Sequence, residues 1–201
     1  MHAYALNCTL KPGPEPSSTD ALLDQIEAEF AALGVDLTRD RLADFDVPPG
    51  VVSKTGDGDR WPTILERILE ADIFILGTPI WLGHPSSLAQ RALERLDAMI
   101  SETDERGQMR IANRVALVAV VGNEDGAHHV GAELFQGLND VGFTVPANGM
   151  TYWVGEAMGR VDYLDLPSPP EKTASTTRAM AINAAHLANL LAGSPYPAFG
   201  G

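Results

Sequence analysis

The feature that most constrains this chain is an alternation: short apolar runs suited to buried strands are followed, repeatedly, by segments of helical period. Strands that alternate with helices favour a parallel sheet covered by helices on both faces. Residues 3–8 are apolar and stop in a Pro/Gly-rich stretch, so they read as the first strand. Leu22, Leu23, Ile26, Phe30 and Leu33 then recur at helical spacing, with Ser17 three residues before Asp20 as a capping-box-like start and Gly34 as a stop. Residues 35–42 carry charges that suit an edge strand, and residues 46–59 read as an irregular surface loop. Ile64, Leu65, Ile68 and Leu69 mark a helix, and residues 71–76 a buried strand that ends at Gly77, Thr78 and Pro79. Leu88, Ala92, Leu96 and Ile100 share a helical face, residues 115–121 form the most apolar strand, and Val130, Leu134, Leu138 and Val141 form a helix stopped by Gly142. A fifth strand falls within residues 143–154 and a last helix spans residues 173–191. The expected architecture is a three-layer α/β/α sandwich with a five-stranded parallel sheet of order 2-1-3-4-5.

Composition removes several function classes. The chain has 201 residues with a net charge of −13 and a pI near 4.6, and so lacks the basic footprint that binding to nucleic acid or to an anionic membrane needs. Hydrophobic residues at 45% and charged residues at 20% fit a folded domain, which argues against disorder. The length predicts one domain over residues 1–194 and a loosely ordered tail over 195–201. The single cysteine, Cys8, has no internal disulfide partner. There is neither a long apolar segment for membrane insertion nor a signal-peptide pattern, so a cytoplasmic location is expected.

In such a sheet a ligand binds outside the carboxyl ends of the strands where their order reverses, which selects residues 9–18, 78–85 and 122–129. The first loop brings Thr9, Lys11, Ser17, Ser18 and Thr19 to the start of a helix, where free N–H groups and the dipole favour an anion. Either a phosphate cradle or ordinary helix capping explains those residues. A P-loop and a G-x-G-x-x-G turn are both absent. Cys8 stands where a cysteine phosphatase keeps its nucleophile, but the loop lacks the arginine such chemistry needs, which favours a small buried hydrophobe. The second loop, Gly77-Thr78-Pro79-Ile80-Trp81-Leu82-Gly83-His84-Pro85, offers either a platform for a flat heteroaromatic ring or residues of a core or subunit interface. The third, Gly122-Asn123-Glu124-Asp125-Gly126-Ala127-His128-His129, permits close backbone approach to a ligand. Adjacent histidines on a helix point about 100° apart and no third ligand is at hand, so no metal is expected.

Together the three loops resemble the flavodoxin-like NAD(P)H-dependent FMN reductases, a family that includes quinone reductases and azoreductases. The resemblance implies that Thr9, Lys11, Ser17, Ser18 and Thr19 hold the FMN phosphate. It implies that Thr78, Pro79, Ile80, Trp81, Leu82 and Gly83 lie along the isoalloxazine, with backbone N–H groups near Trp81, Leu82 and Gly83 on its polar edge. Gly122, Asn123, Glu124 and Gly126 would close the other edge, and His128 or His129 would assist as a donor. Lys11 replaces an arginine common in relatives, and residues 12–16 lengthen the loop. The implied activity is hydride transfer from NADH or NADPH to bound FMN, then two electrons to a quinone, flavin or azo acceptor. Homodimers or homotetramers are implied too, with Trp153 and residues 164–170 covering a neighbour's flavin. A one-electron carrier of flavodoxin type, serving a protein partner, is the alternative, and a flavin-free binding module a third.

Overall fold

The computed structural model describes residues 1–198. Five strands run parallel: β1 (His2–Asn7), β2 (Asp36–Arg41), β3 (Ile73–Trp81), β5 (Val115–Gly122) and β6 (Met150–Val154). Their spatial order is β2-β1-β3-β5-β6, which is the expected 2-1-3-4-5 among the parallel strands. The sheet reverses between β1 and β3, so the loops after these two strands open side by side.

The helices are α1 (Ser18–Ala32), α2 (Trp61–Glu70), α3 (Ser87–Leu96), α4 (Ala127–Asp140) and α5 (Glu171–Gly193). Because successive side chains on a strand point to opposite faces, each central strand feeds two cores. Ala3, Ala5, Ile75 and Leu117 pack with Leu22, Ile26 and Phe30 of α1 and Met180 and Ala184 of α5. Tyr4, Leu6, Leu76 and Val118 lie on the other face, under Ile64 of α2, Ala92 of α3 and Leu134 of α4. The near-continuous apolar character of β3 and β5 follows from burial on both sides.

Four departures from the sequence expectation have physical causes. First, β3 continues past Gly77 to Trp81, because Gly77, Thr78 and Pro79 remain in register with Ala119, Val120 and Val121. It then turns back through Leu82 and Gly83 into β4 (His84–Pro85), an antiparallel pair. Positive φ at both Leu82 (53°) and Gly83 (79°) marks a primed two-residue hairpin turn. Second, β6 begins only at Met150, after a loop containing Pro146 and Asn148, whose φ is +55°. Third, α3 stops at Leu96, and a 3₁₀ turn (Asp97–Ile100) leaves Ile100 exposed rather than on the helical face.

The fourth concerns residues 46–59, which are irregular as expected but only partly at the surface. Val47 and Asp59 are buried, and the loop is tied down by Arg95 of α3, whose side chain has no exposed surface. Arg95 Nε donates to the Val52 carbonyl (2.9 Å), Nη1 to the Pro48 carbonyl (3.0 Å) and Nη2 to Asp59 Oδ2 (2.7 Å). At the other end of the chain Tyr196 is held, its N–H donating to Asn113 Oδ1 (2.7 Å), while residues 199–201 of the expected tail lie outside the described residues. Among the described residues no helix is long and apolar enough to cross a membrane.

Candidate functional site

A cleft of about 390 Å³ opens at the carboxyl ends of β1, β3 and β5, within the range of roughly 300–1,000 Å³ typical of small-molecule sites. From the first loop it is lined by Thr9, Lys11, Ser17, Ser18 and Thr19, all five of the residues expected there. Ser17 occupies the N-cap position of α1 with extended backbone, yet its side chain makes no capping bond. Ser17 lines the cleft, and its Oγ is buried with no hydrogen-bond partner among the described residues. A buried hydroxyl without a partner costs stability unless a ligand completes it.

The capping box expected of Ser17 and Asp20 gives way to a different network. Asp20 accepts from Asn7 Nδ2 (2.6 Å) and pairs with Arg41 of β2. Arg41 Nη1 also donates to the carbonyls of Lys11 (3.1 Å), Pro12 (2.9 Å) and Glu15 (2.8 Å). The loop's carbonyl oxygens are thereby drawn towards a cation on β2. Lys11 Nζ makes one long contact, with the Pro16 carbonyl at 3.4 Å. Arg41 escaped the sequence reading because one arginine on a charged edge strand carries no local signal.

From the second loop the cleft receives Pro79, Ile80, Trp81 and Leu82, but neither Thr78 nor Gly83. Thr78 is fully buried behind it, where its Oγ1 donates to the Pro79 carbonyl (2.9 Å) and accepts from Ser86 N (3.0 Å). Trp81 and Leu82 are 54% and 90% exposed, which takes both out of the core and places them at the rim. The Leu82 N–H, expected to be free for a ligand, donates instead to Glu124 Oε1 (2.8 Å). Glu124 is therefore a strut between the second and third loops.

The third loop contributes Gly122, Asn123 and Glu124. Gly126, His128 and His129 face a neighbouring hollow with Gly83 and Tyr152 instead. Asn123 Nδ2 donates to the Gly159 carbonyl and to Asp162 Oδ1, both at 3.0 Å, and so holds the segment after β6 over the cleft. That segment adds Met158, Asp162 and Tyr163, and β6 adds Trp153; apart from Trp153, the sequence reading named none of them. Trp153 lines its own chain's cleft, packed at 5.5 Å between ring centroids against Tyr163. Burial raises the Tyr163 phenol above its ordinary pKa, so it stays a neutral donor, here to Gln25 Oε1 (2.5 Å). Burial likewise pushes the Cys8 thiol well up, which leaves it no nucleophile near neutral pH.

The loops approach most closely at Gly126, whose φ is +123°. A Cβ there would lie 2.9 Å from the Cα and carbonyl oxygen of Gly83. Gly126→Ala combines strain at positive φ, about 1–3 kcal/mol, with a backbone clash that pushes the Trp81–His84 turn outward. The expected result is a lower melting temperature; a variant with the native value would show that the close approach is dispensable.

A family profile described as NADPH-dependent FMN reductase matches residues 1–158. The chain belongs to that family. FMN is the flavin named for that family. The 8-demethyl-8-aminoriboflavin-5'-phosphate synthase of Streptomyces davaonensis is 33% identical over 206 residues, covering 98% of this chain and 80% of that protein. A crystal structure of RosB with the bound intermediate 8-demethyl-8-formylriboflavin-5'-phosphate superposes with a TM-score of 0.87 at 32% identity, covering 98% of this chain and 82% of that one. The divalent metal cation transporter MntH of Mycobacterium bovis is 36% identical over 198 residues, but the chain spans 29% of that protein's length. A flavone reductase at 13% identity and a TM-score of 0.69 shares the fold. The residues present fit FMN: an unpartnered buried hydroxyl, a lysine and a helix N-terminus converge where a phosphate would sit.

Proposed function

We propose that this family member holds FMN in the cleft, phosphate towards α1 and ring towards Trp81 and Trp153, and reduces a small quinone, flavin or azo compound. The unpartnered Ser17 hydroxyl at the start of α1 carries this reading. When bound, FMN supplies the redox chemistry, taking a hydride from NADPH or NADH and passing two electrons to the acceptor. The hydroxyls of Thr9, Ser17, Ser18 and Thr19 orient the phosphate, and Lys11 offsets its charge. Ile80, Trp81 and Trp153 exclude water from the ring, and the neutral Tyr163 adds no charge beside it. Glu124, by fixing the Leu82 N–H, sets the height of the rim over the ring. The enzyme works in the cytoplasm, as a homodimer or homotetramer whose neighbour covers the exposed Leu82 and Met158.

The test is an absorbance spectrum of the protein with FMN, followed by anaerobic addition of each nucleotide. Bleaching of bound flavin by NADPH or NADH is expected; bound flavin that ignores both would return the one-electron carrier. The similarity to RosB along nearly the whole chain supports a second reading, in which a riboflavin phosphate is the compound being altered. Mass spectrometry of the flavin recovered after turnover separates the two. An unchanged FMN mass supports the cofactor role, and a changed ring mass supports the second.

A further inference from the structure

Next to the hollow that His129 lines stands a side-chain cluster to which the redox reading gives no task. His84 on β4 and His129 and Glu133 on α4 bring one ligand atom each to within 4.8 Å of one another. Glu133 Oε1 lies 3.1 Å from His84 Nδ1 and 2.9 Å from His129 Nε2. Two imidazole nitrogens are thus aimed at one carboxylate oxygen from different directions, their rings 5.0 Å apart at 74°. Both nitrogens are directed at the same small space beside Glu133 Oε1.

We propose that His84, His129 and Glu133 form a divalent transition-metal site that staples the β3–β4 turn to α4. Imidazole and carboxylate ligands suit zinc, nickel or copper, and three protein ligands leave further positions to water. Ligand atoms around a tetrahedral zinc, at about 2.0–2.1 Å from it, stand roughly 3.3 Å apart, close to the 3.1 and 2.9 Å that separate the two nitrogens from Glu133 Oε1. His129 and Glu133 are four residues apart on α4 and therefore share a face. The third ligand is also held in advance. The Leu82 N–H is bound to Glu124, and Gly83 abuts Gly126, which together fix the turn that carries His84 against the start of α4. The two histidine side chains are more than half exposed, so the ion exchanges readily with solvent. Because Trp81 and Leu82 rim the flavin cleft, an ion at this site stiffens one wall of it.

Zinc chloride is titrated calorimetrically into tag-free full-length protein at neutral pH, with and without FMN. One zinc per chain is expected in both cases, so failure of the flavin reading leaves this test intact. His84→Ala, His129→Ala and Glu133→Gln each weaken binding at least about tenfold, since losing a ligand costs no less than losing its outer-shell support. His186→Ala, on the exposed side of α5, leaves it unchanged. Zinc also slows amide hydrogen exchange across residues 81–84 in the native chain but not in His129→Ala. No saturable zinc binding, binding that survives His129→Ala, or unaltered exchange at residues 81–84 each overturns the proposal.

Discussion

Arg95→Ala destabilises the protein by about 3–5 kcal/mol, the usual cost of leaving one partner of a buried ion pair alone. Arg95 and Asp59 are 0% and 1% exposed at their side chains and 2.7 Å apart. The substitution strands the Asp59 carboxylate and also the Pro48 and Val52 carbonyls. It removes a cation packed 5.8 Å from the centre of the buried Trp61 ring as well. For a chain of this size the melting temperature falls on the order of 10 °C. Urea unfolding checks the magnitude; a loss below about 1 kcal/mol would mean that water enters and solvates Asp59.

The same pair sets an acid limit. Burial alone would push Asp59 up, but hydrogen bonds from Arg95, from the Thr55 and Trp61 N–H groups and from the Thr55 hydroxyl hold it well below the usual carboxylate range. A carboxyl depressed by folding stabilises the native state above its unfolded pKa of about 3.9, and loses that contribution as pH falls towards the folded value. The urea-midpoint gap between the native chain and Asp59→Asn is therefore full at neutral pH. It closes as pH drops from about 5 towards 2.

Ser17→Ala acts in opposite directions on the free and the flavin-bound protein. In the free chain it deletes a buried hydroxyl that has no partner, so stability holds or rises by about 1 kcal/mol. In the complex it deletes a hydrogen bond to a charged group, worth about 1.5–3 kcal/mol, and FMN affinity falls roughly 10- to 100-fold. Riboflavin, which lacks the phosphate, isolates the cause. Its affinity is expected to stay at the native value, whereas an equal loss for both flavins would move Ser17 away from the phosphate. Lys11→Ala shifts FMN binding the same way and flattens its dependence on salt, because Lys11 is exposed and its contribution is screened.

Much of this molecule was legible before folding was considered. The apolar runs that became β1, β3 and β5 are buried on both faces, and burial of that kind writes itself into contiguous residues. The three polar loops converge because strand order fixes which carboxyl ends adjoin. Thr9, Lys11, Ser17, Ser18 and Thr19 line the cleft for the same reason: five residues flanking one helix start cannot be far apart. Register was harder. Gly77, Thr78 and Pro79 resemble a stop, yet pairing with β5 carries β3 through them.

The layers, the strand order and the position of the cleft follow from the chain's own pattern, since these depend on short windows and on topology. The remaining features arise from contacts made only on folding. Arg41 shapes the first loop across some thirty residues of sequence, and Arg95 closes a loop that composition marks only as irregular. Glu124 takes the Leu82 N–H, and a turn brings His84 to a helix that in sequence offered two ill-placed histidines and no third ligand. Each of these is one polar side chain meeting a distant group. A single long-range contact leaves no periodicity behind it, so no local window of sequence can contain it.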